Sequence, residues 1–158
     1  PAIQAAREAA RQTTCLNNQR NLAMAMINRA TKSSQGNFPA FAYDQKLVSG
    51  ASRAMPWTVA ILAELDEQTL RDQVLDDSPS SQATWTTLMQ APGVLKTFKC
   101  PSNPSTSADI GLLDYVVNSG MYDPSSVVNF KQSDLEANGV CHDQRDSRKG
   151  PKVQFSRI

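Results

Sequence analysis

Residues 2–30 read AIQAAREAARQTTCLNNQRNLAMAMINRA, a run that contains neither proline nor glycine. It is rich in Ala, Arg, Gln, Leu and Met, which cost little to hold in a helix, and Pro1 suits a helix start. The run therefore predicts a helix from Pro1 to about Lys32. Such a helix would span roughly 45 Å at 1.5 Å per residue, whereas a compact domain of this length has a radius of gyration of about 15 Å. We expect a helix as long as the domain itself.

The two halves of the predicted helix differ in composition. From Ile3 to Thr14 the sequence is rich in alanine and polar residues, and Ile3 is its only large apolar residue, whereas apolar residues at helical spacing begin at Cys15. The second half is expected to pack on a core, and the first half either projects or forms the frayed end of an ordinary amphipathic helix. The apolar residues fall on two neighbouring lines, one with Cys15, Leu22 and Met26 and the next with Leu16, Ala23, Ile27 and Ala30.

Length and composition limit the classes of protein to consider. The 158 residues suit one domain, residues 1–158, with 40% hydrophobic residues and a net charge of +1. The near-zero charge gives no indication of nucleic-acid binding, and no apolar run approaches the roughly 18 residues of a membrane span. Nine prolines and loops rich in Ser, Asn and Thr favour an exported domain at least as much as a cytosolic one.

The rest of the chain predicts an α+β arrangement. Residues 33–93 are expected to be a region of helices and loops, irregular from Phe38 to Met55, and residues 94–158 a sheet region. Helices followed by strands imply a long helix covering one face of an antiparallel sheet. Gly36 is expected to end the long helix. The further predicted helices are Pro56–Leu65, Glu67–Leu75, which either continues that helix or forms a short one of its own, and Gln82–Gln90. The predicted strands are Val94–Cys100, Leu112–Asn118, Ser126–Phe130, Gly139–Cys141 and Lys152–Ile158.

No residue pattern predicts catalysis, a metal or a cofactor. His142, the single histidine, lies between Cys141 and Asp143, and neighbouring side chains of a strand point to opposite faces. A metal cluster or Cys-His pair is therefore poor geometry, and a solvated loop is the preferred interpretation. Calcium binding by Asp143 and Asp146 is disfavoured because basic residues are interleaved with them. Sequence motifs of hydrolases, phosphate-binding loops and zinc proteases are missing, so we expect a non-enzyme.

The three cysteines leave several pairings open. A Cys15–Cys100 bridge would tie the long helix to the first predicted strand, and a Cys100–Cys141 bridge would tie two strands together. The loop-entropy model separates these bridges by only about 0.6 kcal/mol, so it does not choose between them. Three reduced, buried thiols are the third possibility.

Several stretches in the right order resemble one family. Residues 1–11, followed by Cys15-Leu16-Asn17-Asn18, are similar to the segment after the membrane-spanning half of the N-terminal helix in bacterial pilin-like proteins that carry a prepilin cleavage and methylation signal. The resemblance is to the planctomycete-type family whose body is a domain of unknown function, also described as a family-10 solute-binding-type domain. Gln19, Ile27 and Arg29 depart from its pattern. Further matching stretches are Phe38-Pro39, Trp57 before Glu67-Gln68, Cys100-Pro101-Ser102, Tyr115-Val116 before Asn118-Ser119-Gly120, and Val153–Ile158.

The resemblance implies a type IV pilin-like fold and a structural function. It implies a subunit of a type IV pilus or a type II secretion pseudopilus, exported, anchored in the inner membrane by an upstream segment, and then periplasmic or at the cell surface. It also implies that the chain is shortened at both ends and is monomeric by itself. Cys141 lies outside the family pattern, which favours Cys15 and Cys100 as the disulfide. The helix face implied to meet other subunits comprises Ile3, Ala6, Arg7, Ala10 and Arg11.

The alternative function is a membrane-tethered extracellular module that binds a solute or carbohydrate. Its contacts would come from the loops 38–53 and 102–109. The aromatic residues expected to touch the ligand are Phe41, Tyr43 and Tyr122.

Overall fold

The computed structural model describes residues 2–76, 95–103, 113–119, 139–145, 152–154 and 156, and all structural statements concern these residues. The predicted long helix is confirmed as α1, Ala2–Lys32. The other elements are the strands β1 (Ala42–Lys46) and β2 (Ser52–Pro56), the helices α2 (Trp57–Ala60) and α3 (Gln68–Leu75), and the short 3₁₀ helices η1 (Leu62–Leu65) and η2 (Lys96–Phe98).

The two halves of α1 have different surroundings. From residue 2 to 14 every residue is exposed except Glu8, which is half-buried, and Ile3 is 72% exposed. Burial begins at Cys15 and continues through Leu22 and Ala25 to Ala30. The first half is thus a continuous, exposed helix. The second half packs on the described residues that follow α1, which we call the body.

The predicted apolar lines of α1 are confirmed only in part. Leu16 is 65% exposed and Ala23 is also exposed, whereas Ile27 is half-buried and Ala30 is buried, so only the first half of the second predicted line faces solvent. The buried face also includes Ala25, which follows Leu22 by three positions and Cys15 by ten. Residues with this spacing share a helix face.

The end of α1 is fixed by a turn and an ion pair. Gly36, the predicted stop, has a φ of +64° in the turn after Lys32, and its N–H donates to the carbonyl of Ser33 at 3.0 Å. Glycine adopts this left-handed conformation without steric cost. The ammonium of Lys32 pairs with the carboxylate of Glu64, which ties the end of α1 to η1.

A β-hairpin replaces the irregular passage that the sequence predicts from Phe38 to Met55. Strands β1 and β2 are antiparallel, with Ala42 opposite Pro56 and Lys46 opposite Ser52. The sheet therefore begins inside the region predicted to hold only helices and loops. The prediction failed because neither strand has an alternating apolar pattern; the pairing between the strands, rather than local preference, sustains them.

The chain's C-terminal part borders β1 and the residues before it. The N–H of Phe41 donates to the carbonyl of His142 at 3.1 Å, and the N–H of Gln144 donates to the carbonyl of Ala42 at 2.7 Å. A further bond of 3.0 Å joins the N–H of Phe38 to the carbonyl of Val153. The strand predicted at 139–141 is not formed; the nearest bridge joins Gln144 to Tyr43. In the described residues of the strand predicted at 152–158, one isolated bridge joins Gln154 to Asn37.

Other predicted elements have mixed outcomes. The helix predicted at Pro56–Leu65 is divided at Ile61 into α2 and η1, and α3 confirms the short helix after Glu67. The strand predicted at Val94–Cys100 is wrong, because η2 occupies its centre, and residues 113–118 have no strand partner in the described chain. The predictions for Gln82–Gln90 and Ser126–Phe130 lie outside the described residues.

The core joins α1 to the short elements. Trp57 and Phe98 contact each other edge to face, with ring centroids 5.8 Å apart, a favoured aromatic geometry. Helix α1 reaches this core through contacts with η1 and η2. The whole is an α+β arrangement, consistent with a pilin-like fold. The buried cluster contains Leu22, Ala25, Leu47, Met55, Trp57, Val59, Ile61, Leu62, Leu70, Val74, Phe98 and Tyr115.

Two leucines of α1 provide a test of this packing. We expect Leu22→Ala to lower the free energy of unfolding by about 3 kcal/mol, because truncation of a buried leucine leaves a cavity. Leu16→Ala, in contrast, changes the stability by less than about 0.5 kcal/mol, since Leu16 is exposed. Urea unfolding of both variants measures the difference. Equal losses would contradict the observed orientation of α1.

Candidate assembly surface and its anchor

A disulfide fixes the middle of α1 to the body. Cys15 and Cys100 are bonded, with their Cα atoms 5.0 Å apart and 85 positions apart in the chain. This decides among the two pairings and the fully reduced state that the residues alone left open. In the loop-entropy model a loop of this length stabilises the fold by about 4–5 kcal/mol. Cys141 is the free cysteine and is buried.

Hydrogen bonds surround the disulfide on α1. The amide nitrogen of Asn18 donates to the carbonyl of Lys99 at 3.0 Å, and the hydroxyl of Tyr115 donates to the carbonyl of Cys15 at 3.3 Å. One turn of helix therefore carries a covalent bond and two polar contacts. We call this set of contacts the anchor.

A carboxylate shapes the body side of the anchor. Asp114 accepts the N–H of Cys100 at 2.6 Å through Oδ2 and the amide of Asn103 at 2.7 Å through Oδ1. The N–H of Asp114 in turn donates to the carbonyl of Phe98 at 3.0 Å. These bonds hold the turn that presents Cys100 to α1. Sequence analysis missed Asn18 and Asp114, since no local pattern marks partners so far apart in the chain.

A last contact to the body occurs further along α1. The hydroxyl of Ser102 donates to the carboxylate of Glu8 at 2.8 Å, and the guanidinium of Arg11 lies 3.5 Å from the same group. Glu8 precedes Cys15 by seven positions and so lies nearly on the same helix face. The body thus reaches past the disulfide as far as Glu8.

The residues implied to meet other subunits share one exposed helix face. They are spaced at i, i+3, i+4, i+7 and i+8, which places them together along α1. Small side chains on this face leave room for another helix to come close to the backbone. Ile3, Ala6, Arg7, Ala10 and Arg11 are all exposed.

The residues of the alternative ligand loop lie at the start of the hairpin. Phe41 is 44% exposed, whereas Tyr43 is half-buried and packs against the core. Burial raises the pKa of the Tyr43 hydroxyl, and the nearby Arg71 and Arg29 oppose the shift. The structure places Phe41 and Tyr43 two residues apart; Tyr122 lies outside the described residues.

The segment around the histidine is buried, so the solvated loop expected there is wrong. His142 is 1% exposed, and its Nε2 lies 3.0 Å from the carbonyl of Gly139. Asp143, also buried, makes a two-point ion pair with Arg145, with an Nη2–Oδ2 distance of 2.6 Å. This hydrogen bond raises the pKa of the Arg145 guanidinium. The segment is buried because it lies beside β1, which the local sequence does not indicate.

The described residues contain no group of three or more His, Cys, Asp or Glu side chains that could hold a metal ion. Within the same part of the chain, no helix has the length and apolar character needed to cross a bilayer.

A family model decides the relationship of the chain to known proteins. The model, SBP_bac_10, is described as a protein of unknown function (DUF1559) and matches residues 4–158. The chain belongs to the DUF1559 family. Neither a curated protein nor a solved structure matches it. The family assignment confirms the domain recognised in the sequence, while the pilin-like function remains a proposal.

The disulfide of this DUF1559 domain has a measurable effect on stability. We expect the double variant Cys15→Ala, Cys100→Ala to lose about 2–5 kcal/mol of unfolding free energy, because the cross-link no longer restricts the unfolded chain. Urea unfolding is the measurement, and the reduced wild-type protein is the control that keeps both side chains. Peptide mapping that found Cys141 in the bridge would contradict the structure.

The free thiol provides a pH-dependent measurement. Burial raises the pKa of Cys141 to about 12, and the thiolate is the form that reacts. We expect iodoacetamide at about pH 8.5 to leave Cys141 unmodified in the native protein and to label it in guanidinium chloride. The unfolded thiol ionises near pH 8.5, so this group's contribution to stability is full below that pH and falls as the pH rises toward 12.

Cys141→Ala is the control for both effects. It should remove the label in guanidinium chloride and reduce the loss of stability at alkaline pH. Rapid modification of the native thiol would show that Cys141 is accessible.

Proposed function

We propose that this DUF1559 domain is the globular part of a pilin-like or pseudopilin subunit, which acts by assembly and has no catalytic activity or cofactor. The observation that carries the proposal is the exposed, alanine-rich half of α1 beyond the anchor. An ordinary amphipathic helix buries one face along its length. This helix instead presents one half that is exposed apart from the contact between Glu8 and Ser102, and a second helix could pack on it.

The anchor supports the same function. A helix that joins subunits must transmit force to the body that it carries, and a disulfide resists separation of the two more strongly than packing alone. Cys15 lies close to the boundary between the exposed and buried halves of α1. The bond is therefore the first covalent connection to the body on which a pull on the exposed half would act.

Charge and chemistry define the proposed partners. The exposed face combines Ile3 and two alanines with Arg7 and Arg11, so it suits a mixed apolar and polar contact with neighbouring subunits. A net charge of +1 gives no basis for nucleic-acid binding. We propose other pilin-like subunits as partners and a monomeric state for the isolated chain.

A disulfide also bears on the proposed location. Disulfides persist in oxidising compartments and are rare in the cytosol of most organisms, so the Cys15–Cys100 bond favours export. The proposed route is an inner-membrane anchor supplied by an upstream segment, followed by a position in the periplasm or at the cell surface.

Solute or carbohydrate binding at the hairpin is the second candidate. The observation in its favour is the exposed ring of Phe41, since exposed aromatic residues commonly contact ligands. Tyr43 gives it less support because its ring packs against the core. Loss of ligand binding on Phe41→Ala, with unchanged stability, would favour this function.

Photo-crosslinking in the native cells tests assembly. The full-length gene product carries p-benzoylphenylalanine in place of Ala10 on the exposed face of α1, or in place of exposed Thr69 on α3 as the matched control. We expect cross-links between copies or to related subunits from position 10 and few from position 69. The purified chain should be monomeric in light scattering, since its assembly in this proposal also needs the upstream segment.

Two results would count against assembly. One is equal cross-linking from both positions, which would indicate nonspecific contact. The other is a stable oligomer of the purified chain, which would mean that a different surface mediates self-association.

A further inference from the structure

A groove lies on the body side of the anchor, between α1 and the turn that follows η2. Its volume is about 480 Å³, within the range of roughly 300–1,000 Å³ typical of small-molecule sites. We call it the anchor groove. The polar residues that line it are Thr14, Asn18, Lys96, Thr97, Lys99, Asn103 and Asp114.

Two lysines give the anchor groove its positive charge. Lys96 and Lys99 both line it and are one 3₁₀ turn apart, a spacing that brings side chains to the same side of the backbone. Within the described residues, neither ammonium has an ion pair or hydrogen bond to a side chain. Two neighbouring ammonium groups attract one negatively charged ligand group.

The other polar groups of the groove present oxygen atoms. Asn18 uses its amide nitrogen on the carbonyl of Lys99, and Asn103 uses its own on Asp114, which leaves each amide oxygen as an acceptor. The Asp114 carboxylate already accepts two bonds from the body. An ionised carboxylate has about four acceptor positions, so Asp114 can accept further hydrogen bonds from a ligand.

The combination of two lysines with acceptor oxygens, one of them on a carboxylate, favours some classes of anion over others. Asp114 would repel a compact, multiply charged ion such as phosphate, which would be held close to it. A ligand with one carboxylate and several hydroxyls fits better, because the hydroxyls donate to the oxygens while the lysines bind the carboxylate. The apolar surface of Pro101 and of the disulfide at Cys100 also lines the groove and suits the C–H faces of a sugar ring.

We propose that the anchor groove binds a uronic acid unit of an acidic saccharide. Lys96 and Lys99 hold the carboxylate, and the oxygens of Asn18, Asn103 and Asp114 accept the sugar hydroxyls. The groove begins at Thr14, one turn beyond the last residue of the assembly face, and shares no residue with that face, so the proposal does not depend on filament formation. An assembled subunit would keep a function of its own, recognition of an acidic polysaccharide.

Calorimetric titration with trigalacturonate tests the proposal, with uncharged galactotriose as the ligand control. We expect Lys96→Gln, Lys99→Gln to weaken trigalacturonate binding by about tenfold, because two charge pairs with the carboxylate at a solvent-accessible site are lost. The matched control is Lys46→Gln, Lys152→Gln, which removes the same charge from exposed positions elsewhere and should bind like the wild type.

Several outcomes would overturn the proposal. Equal weakening in both double variants would indicate general electrostatic attraction, and equal binding of galactotriose would remove the role of the carboxylate. Displacement by an equal concentration of sulfate would indicate an unselective anion site, and no binding of trigalacturonate would reject the site. All are measured on the purified chain, so failure here is separate from failure of the cross-linking that tests assembly.

Discussion

The bond between Cys15 and Cys100 is the constraint on which the rest of the structure depends. It joins the long helix to a short turn that has little regular structure of its own. The Asp114 carboxylate holds that turn in position to meet the helix. Ordering this turn on folding costs conformational entropy, and without the cross-link only a few polar contacts would offset that cost. The disulfide makes the entropy loss smaller, because it already restricts the unfolded chain.

The same constraint explains how an exposed helix half persists. Isolated helices of about 12–15 residues are marginal in water, because the first turn is costly to form. In α1 the second half is already fixed by burial from Cys15 to Ala30. The exposed residues 2–14 therefore only extend an existing helix, which costs far less than nucleation. Their high alanine content favours this extension.

The sequence predicted what is local and missed what depends on distant partners. Helix α1 was predictable because composition alone favours it over its whole length. The hairpin was not, since β1 lacks an apolar pattern and depends on β2 and on residues near His142. The local sequence likewise does not predict that Asp143 is buried. At η2 the composition predicts a strand, but the chain forms a 3₁₀ turn. This turn allows Phe98 to contact Trp57 while Cys100 bonds to Cys15.

The anchor itself was predictable in part. The residues alone left two pairings and a fully reduced state open, and the family resemblance favoured the pairing observed, because Cys141 lies outside the family pattern. The polar contacts of the anchor could not be read in the same way. Asn18 and Lys99 are 81 positions apart, and asparagine is common on solvated helix faces. Only the fold shows that this asparagine faces the body.

The body-facing line of α1 changes its chemistry along the helix. Leu22 is held by apolar burial, Cys15 by a covalent bond, and Glu8 by a partly buried hydrogen bond to Ser102. A single hydrogen bond that water can still reach adds little to stability, because water competes for both partners. The attachment of the helix thus weakens toward its N-terminal end, and the disulfide separates a rigid half from one bound only lightly. If the first half of α1 is to exchange its contact with the body for contact with another helix, as proposed, the hydrogen bond at Glu8 has to break while the disulfide at Cys15 holds. The observed order of the two bonds along α1 meets this requirement.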